Sequence, residues 1–269
     1  MTTLSAELFV RSALLSSLPD LEHGFTTRSL GSMAGQVRPA AEHARNRAVL
    51  ESLIGMPLVK ASQVHSADVV LVERGVATRL RDGASERISN AMRLEADALI
   101  TRDRGVALAV AVADCVPVLV AYDEWIGIAH AGWEGVTKGV VGAMVEAIRR
   151  EGARGEARAA IGPSIGPCCY DIDASRARIV RDRLGRAAGA ALTRRADGRF
   201  AFDLWRAVRA QLGGCAVDAL GRCTKDEVTR FFSHRGENGK AGRGLAFIGW
   251  AILPNSKDER EARDSEPGS

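Results

Sequence analysis

A chain of 269 residues with 46% hydrophobic and 26% charged side chains has the apolar material for one large globular domain or two small ones. Its net charge of +4 is interspersed with acidic residues and aromatics make up only 5%, so the sequence offers neither a basic stripe nor a stacking platform for nucleic acid. The longest apolar run, Val106 to Ala113, falls far short of the roughly 20 residues that span a bilayer, so no spanning helix and no membrane partner are expected.

Met1 to Leu18 carries Glu7 and Arg11 and lacks a basic leader and a small-residue cleavage site, so no signal peptide is expected. Five cysteines, two of them adjacent as Cys168-Cys169, point to reduced thiols and a cytoplasmic setting. Leu30 to Pro39, broken by Gly31 and Gly35, reads as a loop. Ala40 to Ile54 has helical spacing, Val69 to Glu73 is a short strand, and the polar stretch Gly75 to Ala91 reads as a mobile connection. Asp97 to Thr101, Val106 to Val112, Val116 to Tyr122 and Trp125 to Ala129 are short apolar runs parted by Gly, Asp and Pro, the pattern of strands buried on both faces. Val136, Val140, Val141, Met144, Val145 and Ile148 give Glu134 to Glu151 the period of one helix. Ala157 to Ile161 returns as a strand, and Gly162 to Tyr170 is too punctuated for regular structure. Helices are expected over Ala174 to Ala188 and Asp203 to Leu212, and the arginines from Arg176 to Arg199 read as a solvated face. Val217 to Leu220 and Leu245 to Ile252 close the fold as strands. No repeat or boundary divides residues 1–255, which read as one α/β domain followed by a charged disordered tail, 256–269. Nothing argues for assembly, so a monomer is expected.

His65, Cys115 and His130 are the chemically telling residues. Two imidazoles and a thiolate make a three-ligand zinc set that leaves a fourth position open, as catalytic zinc sites do. Cys115 follows an apolar strand and precedes Pro117, which is expected to interrupt the ladder and expose the thiol. His130 ends the next strand, and His65 heads its own. Convergence of these strand ends is not dictated by spacing. A buried inert thiol with two packed histidines fits the same residues, and so does a thiolate nucleophile with an imidazole base.

Gln63-Val64-His65, Ala96-Asp97-Ala98-Leu99-Ile100-Thr101, Ala113-Asp114-Cys115-Val116-Pro117-Val118, His130-Ala131-Gly132-Trp133, Ile161-Gly162-Pro163-Ser164-Ile165-Gly166 and Phe231-Phe232-Ser233-His234-Arg235 occur in this order. Together they resemble the laccase-domain family of bacterial proteins, also called YfiH-like or peptidoglycan editing factor-like, over roughly residues 15–252. The resemblance implies a single four-layer α/β/β/α domain, of the YfiH-like cysteine hydrolase type. It implies a zinc or copper site of His65, Cys115 and His130. It further implies phosphorolysis of adenosine, inosine and S-methyl-5′-thioadenosine, with deamination of adenosine. In some members it implies editing of cell-wall precursors that carry the wrong amino acid. The chain departs from the family at Ser29 to Gly35, where a Leu-Asn pair is missing, and at His234, where the family often has Tyr.

On this reading Arg28 and Arg235 are candidates for phosphate, and Asn46 and Gln63 for ribose or base. Asp114 is a proton shuttle or an orienter of ligands, and Asp97 orders the start of its strand. His23, His43 and Cys168-Cys169 stay outside the metal shell, with His43 solvated on its helix. A true multicopper oxidase, with about ten imidazoles, is out of reach of a chain with five histidines, so copper-dependent phenol oxidation would be a side activity. The alternatives are a cysteine hydrolase acting on amide or peptide precursors, and a non-enzymatic protein with a structural metal.

Overall fold

The computed structural model describes residues 7–81, 84–88 and 94–252. The expected tail, 256–269, lies outside them. In chain order the strands and helices are β1 (Phe9–Val10), β2 (Leu21–Thr26), α1 (Ala40–Ile54), β3 (Leu58–Lys60), β4 (Val69–Glu73), β5 (Val76–Arg81), β6 (Ala84–Ile88), β7 (Ala98–Thr101), β8 (Ala107–Val112), β9 (Val116–Tyr122) and β10 (Trp125–Ala131). There follow α2 (Trp133–Lys138), α3 (Val140–Arg150), β11 (Ala157–Ile161), β12 (Asp171–Ile172), α4 (Ala174–Leu184), α5 (Arg186–Ala191), β13 (Leu192–Arg194), β14 (Phe200–Phe202), α6 (Leu204–Gln211), β15 (Cys215–Ala219) and β16 (Gly244–Trp250).

The strands form a five-stranded sheet, β1-β2-β16-β8-β3, an eight-stranded sheet, β15-β11-β9-β10-β7-β4-β5-β6, and a small sheet, β12-β14-β13. Alternation explains how the two large sheets stack. In β9, Leu119 and Ala121 face the inter-sheet core with Ile126 and Ile128 of β10, while Val118 and Val120 face Met144, Val145 and Ile148 of α3. In the five-stranded sheet, Leu108, Val110, Ala246 and Ile248 point to the same inter-sheet core. Ala107, Ala109, Leu245 and Phe247 point the other way, onto Leu50 and Ile54 of α1. A strand buried on both faces needs apolar residues at every position, and that is how these runs read. The result is the four-layer α/β/β/α arrangement.

Four expectations are corrected. The stretch read as a mobile connection contains the hairpin strands β5 and β6 among its described residues. The turn Arg74-Gly75, which joins β4 to β5, has φ of 49° and 75°, both positive, as a two-residue hairpin turn of the right twist requires. The single helix expected over Glu134 to Glu151 is two, split where Gly139 takes a left-handed φ of 83°. Pro117 does not interrupt the ladder; it pairs with His130 inside β9. The N–H of His130 donates to Asp97 on the other side, so the residue opposite asks no N–H of the proline. His43 is buried rather than solvated.

Candidate metal centre

Three segments deliver the donors. In β10, His130 lies on the same side as Ile126 and Ile128, so alternation aims its imidazole at the space between the sheets. Cys115 sits in the turn from β8 to β9, directly after Asp114, whose φ is 86°. His65 lies in the loop between β3 and β4 with φ 57°. Left-handed conformations are uncommon for non-glycine residues and persist where surrounding contacts over-determine them. At His65 those contacts include the Lys138 ammonium, which donates to the His65 carbonyl at 2.6 Å.

The imidazoles of His65 and His130 meet edge to face, with centroids 5.0 Å apart and planes at 69°. One donor atom from each of His65, Cys115 and His130 lies within 4.8 Å of the others. Gly132 makes room for them. A Cβ at that position would come within 3.0 Å of both Cys115 Sγ and His65 Cδ2.

Asp97 holds the arrangement together. Its Oδ1 is 2.9 Å from His130 Nδ1. Its Oδ2 accepts from the backbone N–H of Val64 at 3.1 Å and of Ser66 at 2.6 Å, and from Ser66 Oγ at 3.0 Å. One buried carboxylate therefore fixes the loop on both sides of His65 and places the His130 proton on Nδ1, leaving Nε2 as a lone pair toward the donors. Burial alone would raise the Asp97 pKa, but His130 and Ser66 outweigh it and bring it down to about 2. Burial likewise opposes ionisation of the Cys115 thiol, yet His130 and His65 lower it to about 6. Burial disfavours the charged His130, and the Cys115 thiolate and Asp97 raise it to about 9. Each of the two groups thus favours the charged form of the other, and a divalent ion would take the place of the proton they share. The donor set, its spacing and its orienting carboxylate fit a zinc-type ion.

The donors open onto a cavity of about 590 Å³. Of the residues proposed from sequence, His65, Cys115, His130, Asp114, Gln63 and Arg235 line it; Arg28 and Asn46 are not among its lining residues. The Arg28 guanidinium is engaged elsewhere: it lies 4.3 Å over the Phe232 ring, pairs with Glu237, and donates from Nε to the Phe231 carbonyl at 2.9 Å. Asn46 Nδ2 donates to the Ser32 carbonyl at 2.8 Å, tying α1 to the early loop. Gln63 exchanges two hydrogen bonds of 2.7 Å with the Ala111 backbone in β8. Asp114 is buried and accepts from Thr224 Oγ1 and Ser233 Oγ at 2.7 Å and from the Arg235 N–H at 2.6 Å. It thereby fixes the late segment that presents Arg235, whose guanidinium lies 5.3 Å over the Tyr170 ring.

Several lining residues were not singled out in the sequence as site residues. Tyr170 and Arg243 reach the cavity from separate elements, Trp133 lines it from the end of the His130 motif, and Arg176, expected on a solvated face, lines it too with its guanidinium 5.6 Å over Trp133. Only contacts across the fold reveal them. Asp97 could have been found from its place in a quoted motif, but its partners could not.

Sheets stacked between helices, with two histidines and a cysteine lining one cavity, describe a class of α/β/β/α proteins with a candidate metal centre. Residues 22–251 match the family described as multi-copper polyphenol oxidoreductase laccase, and the chain belongs to that family. It is 35% identical to the purine nucleoside phosphorylase YlmD of Geobacillus stearothermophilus, over 84% of each chain. It is 36% identical to a purine nucleoside phosphorylase of Deinococcus radiodurans, over 84% of this chain and 88% of the relative. Among solved structures, the YfiH protein of Bacillus licheniformis superposes with a TM-score of 0.79 at 30% identity, covering 91% of this chain and 97% of that one. YlmD of Geobacillus stearothermophilus superposes with a TM-score of 0.76 at 33% identity, covering 91% and 100%. Among the described residues no helix is long and apolar enough to cross a membrane.

Proposed function

We propose that the chain is a zinc-dependent purine nucleoside phosphorylase, acting on adenosine, inosine and S-methyl-5′-thioadenosine, that also deaminates adenosine. The observation that carries this reading is the juxtaposition of three metal donors within 4.8 Å with a cavity of nucleoside size lined by arginines and aromatic faces. The names of the relatives support the reaction class. His65, Cys115 and His130 would hold the ion, which when bound supplies a Lewis acid that lowers the pKa of a ligated water to roughly 7 and orients an oxygen of the substrate.

The chain's own residues do the rest. Arg235 and Arg176 offer planar guanidinium forks to phosphate. Trp133 and Tyr170 offer ring faces to the purine. Gln63 spends one donor and one lone pair on Ala111 and keeps one of each for ribose or base. Asp97 holds the proton of His130 on Nδ1, and Asp114 positions Arg235. In phosphorolysis a phosphate oxygen bonds to the anomeric carbon, the glycosidic C–N bond breaks, and the purine departs with a proton. The protein acts as a cytoplasmic monomer of one domain. The family's copper designation fits phenol oxidation only as a side activity at the same donors.

The low thiol pKa favours a second reading, a cysteine hydrolase acting on cell-wall precursors with Cys115 as nucleophile and His130 or His65 as base. Turnover of adenosine and inosine, with and without phosphate, in protein of known metal content separates the two. The first reading expects phosphate-dependent release of base that is lost on chelation and in Cys115→Ala. Full turnover by Cys115→Ala would reject both.

A further inference from the structure

Away from the first donor set, the loop 162–170 and the segment that begins at Cys223 lie side by side. Ser164 and Cys223 form a parallel bridge, with Ser164 N–H donating to Arg222 O at 3.1 Å and Thr224 N–H to Ser164 O at 3.0 Å. This brings Cys168, Cys169, Cys223 and Asp226 together, and one donor atom from each lies within 4.8 Å of all the others. The group shares no residue with His65, Cys115 and His130.

We propose that Cys168, Cys169, Cys223 and Asp226 form a second cation site, specific for a thiophilic divalent ion of the zinc type, that ties together two walls of the cavity. Three sulfurs and one carboxylate oxygen are the four donors of a closed, structural zinc site, whereas the first set has three and keeps an open position. The geometry is close to assembled. Zinc–sulfur bonds of 2.3 Å in a tetrahedron place sulfurs about 3.8 Å apart, so donors already within 4.8 Å need to contract by only about 1 Å. Asp226 already faces the sulfurs: Cys168 Sγ donates to Oδ2 at 3.1 Å and Cys169 Sγ to Oδ1 at 3.0 Å. Binding replaces those two thiol protons, and that of Cys223, by the ion. Cys223 Sγ accepts the Gly166 N–H at 3.3 Å, the role a ligating thiolate has. Lys225, adjacent to Asp226, offsets part of the negative charge of such a centre.

The placement gives the site a purpose. The loop 162–170 carries Ile165 and Tyr170 to the cavity, and the segment after Cys223 carries His234 and Arg235. An ion held between the two would set the distance from Tyr170 to Arg235 without touching substrate.

The test is metal analysis on full-length protein saturated with zinc and freed of excess. Wild type should retain two equivalents and Cys115→Ala one. The double variant Cys168→Ser/Asp226→Ala, whose positions are both exposed, should also retain one while keeping the far-UV circular dichroism of wild type. With cobalt in place of zinc, the sulfur-to-metal absorption retained by Cys115→Ala should be about three times that retained by the double variant, in the ratio of thiolates. A single equivalent in wild type that the double variant keeps in full would overturn the proposal. So would two equivalents left unchanged by the double variant. A disulfide among these cysteines, seen as a 2 Da mass deficit reversed by reductant with no second equivalent after reduction, would overturn it too.

Discussion

Replacing Asp97 by Asn keeps the side chain's shape and removes one acceptor. The carboxylate accepts from His130 Nδ1 on one oxygen and from Val64 N, Ser66 N and Ser66 Oγ on the other. An amide has one oxygen and one NH₂. The loop's three donors hold the oxygen, so the NH₂ faces His130 Nδ1. The imidazole then accepts at Nδ1 and carries its proton on Nε2, the nitrogen turned toward the other donors. Binding an ion requires that proton to move back to Nδ1, where two N–H groups would meet in a buried place. Leaving one buried donor without a partner costs about 1–3 kcal/mol, and 1.4 kcal/mol is tenfold in affinity, so zinc should bind roughly 10 to 100 times more weakly. Competition against a chromophoric chelator at pH 7.5 measures this directly. An Asp97→Asn protein with native far-UV circular dichroism and a dissociation constant within twofold of wild type would refute the argument that this carboxylate sets the His130 tautomer.

Gly132→Ala tests the close approach at the same centre. The added methyl lies 3.0 Å from Cys115 Sγ while the φ of −72° suits alanine, so metal affinity should fall at least about tenfold with helix α2 retained, read by the same competition assay. His23 tests the pH dependence of the fold. Burial first, then Arg11, lowers its pKa from 6.5 to about 4, so the unfolded chain binds the proton more readily; stability present above pH 6.5 is lost as the pH falls from 6.5 through 4, by at most about 3 kcal/mol. Urea midpoints between pH 7 and 4.5 should fall more steeply for wild type than for His23→Gln, and parallel slopes would contradict this. Arg235→Ala should raise the KM for phosphate roughly tenfold and leave that for inosine within about threefold; an equal rise in both would remove Arg235 from the phosphate.

The layered core was legible because strands buried on both faces must be apolar throughout, and β7 to β10 advertise themselves that way. The edge strands β5 and β6 were not, since Arg79, Arg81 and Glu86 dilute their alternation and only the Arg74-Gly75 turn, which joins β4 to β5, signals that a strand follows. His65, Cys115 and His130 were legible as residue types in recurrent motifs. Their convergence depends on pairings between strands remote in sequence, which no local pattern encodes. Arg28 and Asn46 show the limit from the other side. A polar residue beside a motif can serve the loop that carries it, as both do through Phe231, Glu237 and Ser32. Cys168 and Cys169 were legible as a pair, but Cys223 and Asp226 join them only through the Ser164 bridge.

In the five-stranded sheet β16, drawn from residues 244–250, lies between β2 and β8. A ribosome delivers β2 and β8 long before the strand that joins them, so during synthesis both present unpaired backbone edges across a missing centre. The inter-sheet core, which takes Ala246, Ile248 and Trp250 from that strand, cannot be sealed until the segment emerges. Closure of this core therefore waits on a strand remote in sequence from both its neighbours, and until it arrives the two edges are open to pairing with other chains.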